Sequence, residues 1–165
     1  MPISKKIAGY LVKSGYKYEV ISHRTTYTAW DTAQTEHVKP QEVAKALVLK
    51  SGNDWMVALL PSDRKLDKAK FLKAVNAEMK KKGEKMQRGI ELAKEPWMKK
   101  NAPGKIGATP PFRGILKKDI YIDKLLLKNK KVYLGSGEYD ISIRVAVNQY
   151  VKKEKPIIGS FSVKK

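Results

Sequence analysis

Apolar positions along the chain change period several times, and each change marks an element. Ile3, Ile7, Tyr10 and Leu11 recur at helical spacing between Ser4 and Gly15, predicting an amphipathic helix over residues 4–14 with a serine at its start. YKYEVISH, residues 16–23, alternates apolar and polar like a half-buried strand. Thr28 followed three residues later by Asp31 has capping-box spacing and predicts a second short helix ending near His37. Pro40 suits the first position of a third helix in KPQEVAKA.

Two nearly continuous apolar runs follow, ALVLK (46–50) and WMVALLP (55–61), joined by SGND. They predict a hairpin that is central in its sheet, because strands apolar on both faces need cover on both. Asp67 is placed to cap KAKFLKAVNAEMK (68–80), where Phe71, Leu72, Val75 and Met79 form the apolar stripe. Strands are predicted at 120–123, 131–135, 141–147 and 158–163, with a GSGEYD turn at 135–140 and a last helix in NQYVKK, 148–153. Interleaved hairpins and helices predict an α/β (mixed α+β) fold, one domain over residues 1–165 with a mixed, curled sheet surrounded by helices.

Charge changes the picture from fold to partner. The chain of 165 residues carries 35 Lys plus Arg against 16 Asp plus Glu, a formal +19. Such a surface attracts polyanions, either nucleic acid or anionic lipid, unless it only reflects a source of basic proteins. Residues 80–118 hold twelve Lys/Arg against three Glu, so the excess is concentrated. With no cysteine, neither a disulfide framework nor a thiolate nucleophile or metal cluster can form. The start offers only short apolar clusters broken by lysine and glycine, so no membrane span is expected and a cytoplasmic location is the expectation.

Side chains of the usual catalytic kinds are scarce. Neither His23 nor His37 has a partner at the spacing of a helical metal site, so no metal and no cofactor is expected. His23 falls where a strand ends, ahead of the hydroxyl cluster Thr25, Thr26, Tyr27 and Thr28. Lys45, taken to emerge from a helix end beside an apolar run, could aim its ammonium at a phosphate or a carbonyl, or could simply snorkel to solvent. The loop GATPP, residues 107–111, can present the N–H groups of Gly107, Ala108 and Thr109, with Pro110 and Pro111 removing conformational freedom. The turn Gly135, Ser136, Gly137 could do the same, or serve only to reverse the chain.

In order and spacing, YEVISHRTTYTAWDTA, VAKALVLKSG, LLPSDRKLD, GATPPF, IYID and YLGSGEYDISIRV resemble the YbaK/ProX family of aminoacyl-tRNA deacylases, relatives of the editing domain of prolyl-tRNA synthetases. The resemblance spans roughly residues 1 to 163. It implies hydrolysis of the ester joining a mischarged amino acid to the terminal adenosine of tRNA. It gives tRNA as partner, with an aminoacyl-tRNA synthetase as a second. It makes Lys45 the key side chain and the loop from Gly107 to Pro111 a wall of the pocket; the mechanism expected here has Lys45 hold the acylated terminus and the N–H groups of Gly107 and Ala108 stabilise the oxyanion while water attacks. His23, Tyr27, Thr28, Thr109, Pro110, Pro111, Gly135, Ser136, Gly137, Asp140 and Ser142 are the expected substrate contacts. The chain departs from the family at Ala46, where many members carry Thr or Asn, and near Ser142, where better-known members carry an acidic residue or histidine. A catalytically inactive tRNA-binding module of the same fold is the alternative expectation.

Overall fold

Ser4 caps the first helix as its position predicts: its hydroxyl accepts the N–H of Ile7 at 3.3 Å. Helix α1 then runs Lys5–Lys13 and buries Ile7 and Leu11. The computed structural model describes residues 3–165. Strand β1 is Tyr18–Ser22, and α2 is Ala29–Glu36, with the Thr28 hydroxyl accepting the Asp31 N–H at 3.1 Å. The expected third helix reduces to one 3₁₀ turn, Pro40–Glu42, because strand β2 already begins at Ala44 and runs to Ser51. Its ladder with β3, Asp54–Pro61, pairs all eight residues from Ala44 to Ser51, and that long-range pairing overrides the helical preference of Ala44, Lys45 and Ala46.

After β3 come β4, Arg64–Leu66, and α3, Lys68–Lys82, where the Asp67 carboxylate accepts the Lys70 N–H at 3.0 Å and Gly83 ends the helix at φ 72°. Strand β5, Glu91–Leu92, and helices α4, Glu95–Asn101, and α5, Arg113–Leu116, occupy the basic stretch. Then follow β6, Ile120–Asp123, a 3₁₀ turn, Lys124–Lys128, β7, Lys131–Gly135, and β8, Ile141–Ala146. Helix α6, Val147–Glu154, and strands β9, Ile157–Gly159, and β10, Ser162–Lys164, complete the order.

The fold is a mixed α/β arrangement whose strands divide among three sheets rather than one. A five-stranded mixed sheet has the order β5-β2-β3-β6-β9, with β3 at its centre and β6 and β9 parallel to it. One face packs Val48, Val57 and Leu59 against Leu11, Phe112, Ile143 and Val145, and so against α1 and the antiparallel sheet β1-β8-β7. The other packs Leu49, Ala58 and Leu60 against Phe71 and Val75 of α3 and against Phe161. Each of these buried side chains apart from Ala58 is worth about 1.5–3 kcal/mol in transfer from water, which holds the sheet as a rigid floor for the loops above it.

The predicted strand over 158–163 is broken in two, and Asp123 is the cause. Its buried carboxylate accepts the N–H groups of Phe161 and Ser162, both at 3.0 Å, and that of Leu125 at 3.0 Å. The chain bends there so that Phe161 enters the core, and β10 leaves to pair with β4.

Candidate functional site

The glycine-proline loop begins with a tight turn. The Ala108 N–H donates to the Lys105 carbonyl at 2.9 Å, with Gly107 at φ 88° in the third position, the conformation a type II turn requires. A Cβ at Gly107 would lie 2.5 Å from the Tyr27 carbonyl oxygen, so the turn is also pressed against the segment before α2. Two backbone hydrogen bonds join the loop to the turn after β7: Lys105 N–H to the Gly137 carbonyl at 2.9 Å, and Gly137 N–H to the Ala108 carbonyl at 2.7 Å. At Gly135 a Cβ would lie 2.6 Å from the Thr109 carbonyl oxygen. Behind the turn, Pro110 packs on Gly104, and the Pro111 carbonyl accepts the Tyr150 hydroxyl at 2.6 Å.

Between this loop, the end of β1 and the start of β8 lies a small cavity of about 30 Å³. Of the residues expected from sequence, His23, Thr28, Gly107, Ala108, Gly135 and Ser142 line it. Thr26, Thr32 and Glu138 line it as well. Thr26 and Thr32 share a hydroxyl hydrogen bond at 2.7 Å, and Glu138 pairs with Lys105 at 2.8 Å. That hydrogen bond and the carboxylate's charge hold the Lys105 ammonium above its ordinary pKa. Thr26 belongs to the hydroxyl cluster visible in the sequence, and Glu138 directly follows the GSG turn; Thr32 carries no sequence signal, being one polar residue on a helix.

Other expected residues stand behind or beside the cavity. Thr109, Pro110 and Pro111 are buried under the loop. Ser136 is buried with its hydroxyl donating to the Ile141 carbonyl at 2.6 Å, which shapes the turn. Gly137 packs against Gly104, and Asp140 contributes its carbonyl, which accepts the His23 main-chain N–H at 2.9 Å. Tyr27 lies on the surface, 64% exposed, with its ring edge-on to Tyr139.

Two expectations are corrected by the geometry. Lys45 lies on strand β2, inside the sheet order, rather than at a helix end, and strand alternation points it away from the face that carries Ala44 and Ala46. Ala44 lines the cavity, while the Lys45 ammonium donates to the Arg64 carbonyl on the other face. Burial first, then repulsion from Lys165, lower the Lys45 pKa against the opposing attraction of Asp63. The second correction concerns Ala108, whose N–H is spent on the Lys105 carbonyl and is not free to meet an oxyanion. Among the described residues, the N–H groups of Gly107 and Thr109 have no acceptor, and of these two residues Gly107 lines the cavity.

His23 and Ser142 meet across the β1–β8 pairing. His23 Nε2 lies 2.9 Å from Ser142 Oγ, and its Nδ1 lies 2.7 Å from the Arg24 carbonyl oxygen. Since a carbonyl only accepts, this pairing assigns the ring proton to Nδ1 and leaves Nε2 to accept from the serine.

The basic stretch is less free than its count suggests. Lys82 and Arg113 pair with Asp119 at 3.3 and 2.9 Å, Lys118 with Asp54 at 2.8 Å, and Lys105 with Glu138. Among the described residues Lys80, Lys81, Lys85, Arg88, Lys94, Lys99, Lys100 and Lys117 make no ion pair, and all eight are exposed. Trp97 of α4 sits edge-on to Trp55, with the Lys50 ammonium 4.8 Å from its ring centre.

Comparison with known proteins agrees with this architecture. A family model for the aminoacyl-tRNA editing domain matches residues 23–153. The crystal structure of a hypothetical protein superposes with a TM-score of 0.80 at 18% identity, covering 96% of this chain and all of that one. A candidate trans-editing enzyme for prolyl tRNA synthetase superposes with a TM-score of 0.77 at 18% identity, covering 99% of each chain. No curated protein matches the sequence.

Proposed function

The chain belongs to the aminoacyl-tRNA editing domain family, and from that premise we propose that it is a trans-editing aminoacyl-tRNA deacylase. Its substrate is a mischarged aminoacyl-tRNA, whose ester is hydrolysed to free amino acid and a 3′-hydroxyl. One observation carries the reading: a cavity walled by two interlocked backbone loops, with the Gly107 N–H lacking an acceptor. A preorganised N–H aimed at a developing oxyanion contributes about 3 kcal/mol to acyl transfer, so the loop acts through its main chain.

The corrected position of Lys45 divides its two expected roles. On the far face of β2 it is not directed at the ester carbonyl, so we assign it to a phosphate of the tRNA terminus outside the cavity. Tyr27, 64% exposed beside Thr28, offers a ring face for a terminal base, whereas the Trp30 ring, 41% exposed, has the Lys165 ammonium 5.4 Å from its centre. The exposed lysines of α3 and α4 hold the remaining tRNA by its backbone. A synthetase as delivering partner and a cytoplasmic site of action follow from the same reading, and no helix among the described residues is long and apolar enough to cross a membrane.

Deacylation of a panel of mischarged tRNAs, by wild type and by Lys45→Ala, tests the proposal. The wild type should release at least one amino acid, and Lys45→Ala should do so more slowly through weaker tRNA binding. If no ester is cleaved while tRNA still binds, the chain is a tRNA-binding module and not an enzyme.

A further inference from the structure

We propose that Ser142 and His23 form a nucleophile–base pair, so that ester cleavage passes through an acyl-enzyme on Ser142. For its natural substrate the inference rests on the deacylase reading above. The two residues stand 119 positions apart in the chain and are joined by a 2.9 Å hydrogen bond. The strand ladder places them: Ile21 of β1 pairs with Ser142 of β8, and two residues further the His23 N–H is fixed to the Asp140 carbonyl at 2.9 Å. Ser142 is buried in the cavity wall, and among the described residues the imidazole is the only hydrogen-bond partner of its hydroxyl.

The tautomer is the one a general base needs. With its Nδ1 proton held by the Arg24 carbonyl, His23 turns the Nε2 lone pair to the serine hydroxyl, as a third group orients the base in catalytic triads. Here a backbone carbonyl does the orienting. Three charged residues neighbour the pair, Arg24 and Asp140 through their carbonyls and Glu138 across the cavity, and Glu138 is paired with Lys105.

Ser142 Oγ attacks the ester carbonyl carbon as its proton passes to His23 Nε2, and the tetrahedral oxyanion is met by the Gly107 N–H. Collapse breaks the bond to the ribose oxygen, which takes the proton from Nε2 and leaves as the hydroxyl of the tRNA terminus. Water then attacks the acyl-serine, giving its proton through Nε2 to Ser142 Oγ, and the amino acid is released.

Two measurements need no tRNA. A fluorophosphonate probe, read by intact mass and peptide mapping, should modify wild type once, at Ser142, and should react at least tenfold more slowly with His23→Gln. Because the chain has no cysteine, iodoacetamide alkylation of Ser142→Cys reports on that position alone, and adding His23→Gln should slow it at least tenfold. A third measurement uses tRNA: deacylation by Ser142→Ala, at unchanged thermal midpoint, should fall by roughly 10²-fold or more. Absence of probe adduct, or alkylation of Ser142→Cys indifferent to His23, overturns the pair. So does deacylation by Ser142→Ala at the wild-type rate, which leaves the deacylase reading standing. Labelling of Ser142 without cleavage of any aminoacyl-tRNA supports the pair and overturns the deacylase reading.

Discussion

Truncating Glu154 tests whether the glycine-proline loop is held in place from behind. The Glu154 carboxylate, fully buried at the end of α6, accepts the Tyr10 hydroxyl at 2.9 Å, the Tyr16 hydroxyl at 2.5 Å and the Arg113 N–H at 2.6 Å. One side chain therefore ties α1, α6 and the residue after Phe112, and Phe112 is itself buried between Tyr10, Tyr16 and Tyr150. Glu154→Ala leaves three donors without their acceptor. Half-buried Tyr10 can turn to water, whereas the Tyr16 hydroxyl and the Arg113 N–H lose a charged acceptor worth about 1.5–3 kcal/mol each. A loss of about 3–5 kcal/mol follows, allowing for partial hydration of the space. At this chain length each kcal/mol moves the midpoint by roughly 2–4 °C, so the variant should melt about 10 °C lower. Glu154→Gln keeps one acceptor oxygen and should lose about half as much. Urea denaturation followed by circular dichroism gives the energies, and amide exchange over residues 104–112 reports on the loop, which should exchange faster in both variants. A Glu154→Ala protein within 1 kcal/mol of wild type, with the loop amides as protected as before, would refute the reasoning.

Four further outcomes are expected. Burial, then the hydrogen bond and charge of Glu154, hold the Tyr16 phenol proton, and burial holds that of Tyr150, so the folded chain keeps protons that unfolded tyrosine releases near pH 10. Stability should then fall as pH rises through about 10, by up to ~1.4 kcal/mol per pH unit for each such tyrosine, and urea midpoints for Tyr16→Phe should show a shallower decline. Gly107→Ala places a side chain in a left-handed turn against the Tyr27 carbonyl; it should cost more than the about 1–2 kcal/mol of the backbone conformation alone and lower deacylation more than tenfold, as single-turnover assays would show. Lys45→Met should weaken tRNA binding and reduce its salt slope by roughly one, a result that titrations at several ionic strengths would separate from a loss of kcat. Lys99→Ala with Lys100→Ala should reduce the same slope by roughly one to two, and an unchanged slope would place the tRNA on another face.

What the sequence revealed of the fold was mostly what local chemistry decides. Ser4, Thr28 and Asp67 cap the helices they were expected to cap, because a cap needs only its own hydroxyl or carboxylate and the N–H three residues on. The apolar hairpin is central for an equally direct reason, since a strand apolar on both faces has nowhere else to go. The misread places depend on distant partners. Ala44 and Lys45 are extended because Pro61 and Leu60 pair with them, and the terminal strand breaks because Asp123, nearly forty residues earlier, captures its N–H groups. The site divides in the same way. Gly107 and Gly135 stand out by composition, and His23 and Ser142 each come into view singly. Their contact does not, because it is a property of the β1–β8 register.

That register also brings Gly135 to the cavity wall. Strand β8 enters the sheet between β1 and β7, so Ser142 is paired on one side with Ile21 and on the other with Gly135. Gly135 can bring its backbone within van der Waals reach of the Ala108 and Thr109 carbonyls only because it lacks a Cβ, and this brings the glycine-proline loop over the serine. A side chain at 135 would push the loop outward and separate Gly107 from Ser142, even though residue 135 itself carries no reactive group. The cavity carries both polar side chains, among them His23, Thr26, Thr28 and Ser142, and small apolar ones, Ala29 and Ala44. On the deacylase reading, a space of about 30 Å³, of the order of two water-sized groups, predicts faster cleavage of small acyl groups than of bulky ones. Ala44 on the floor is the position where size can be altered without touching either loop. Ala44→Gly should broaden the range of esters cleaved, whereas Ala44→Val should narrow it, and rates on tRNAs charged with amino acids of increasing size would decide the matter. Equal rates across the series would show that the acyl group binds elsewhere.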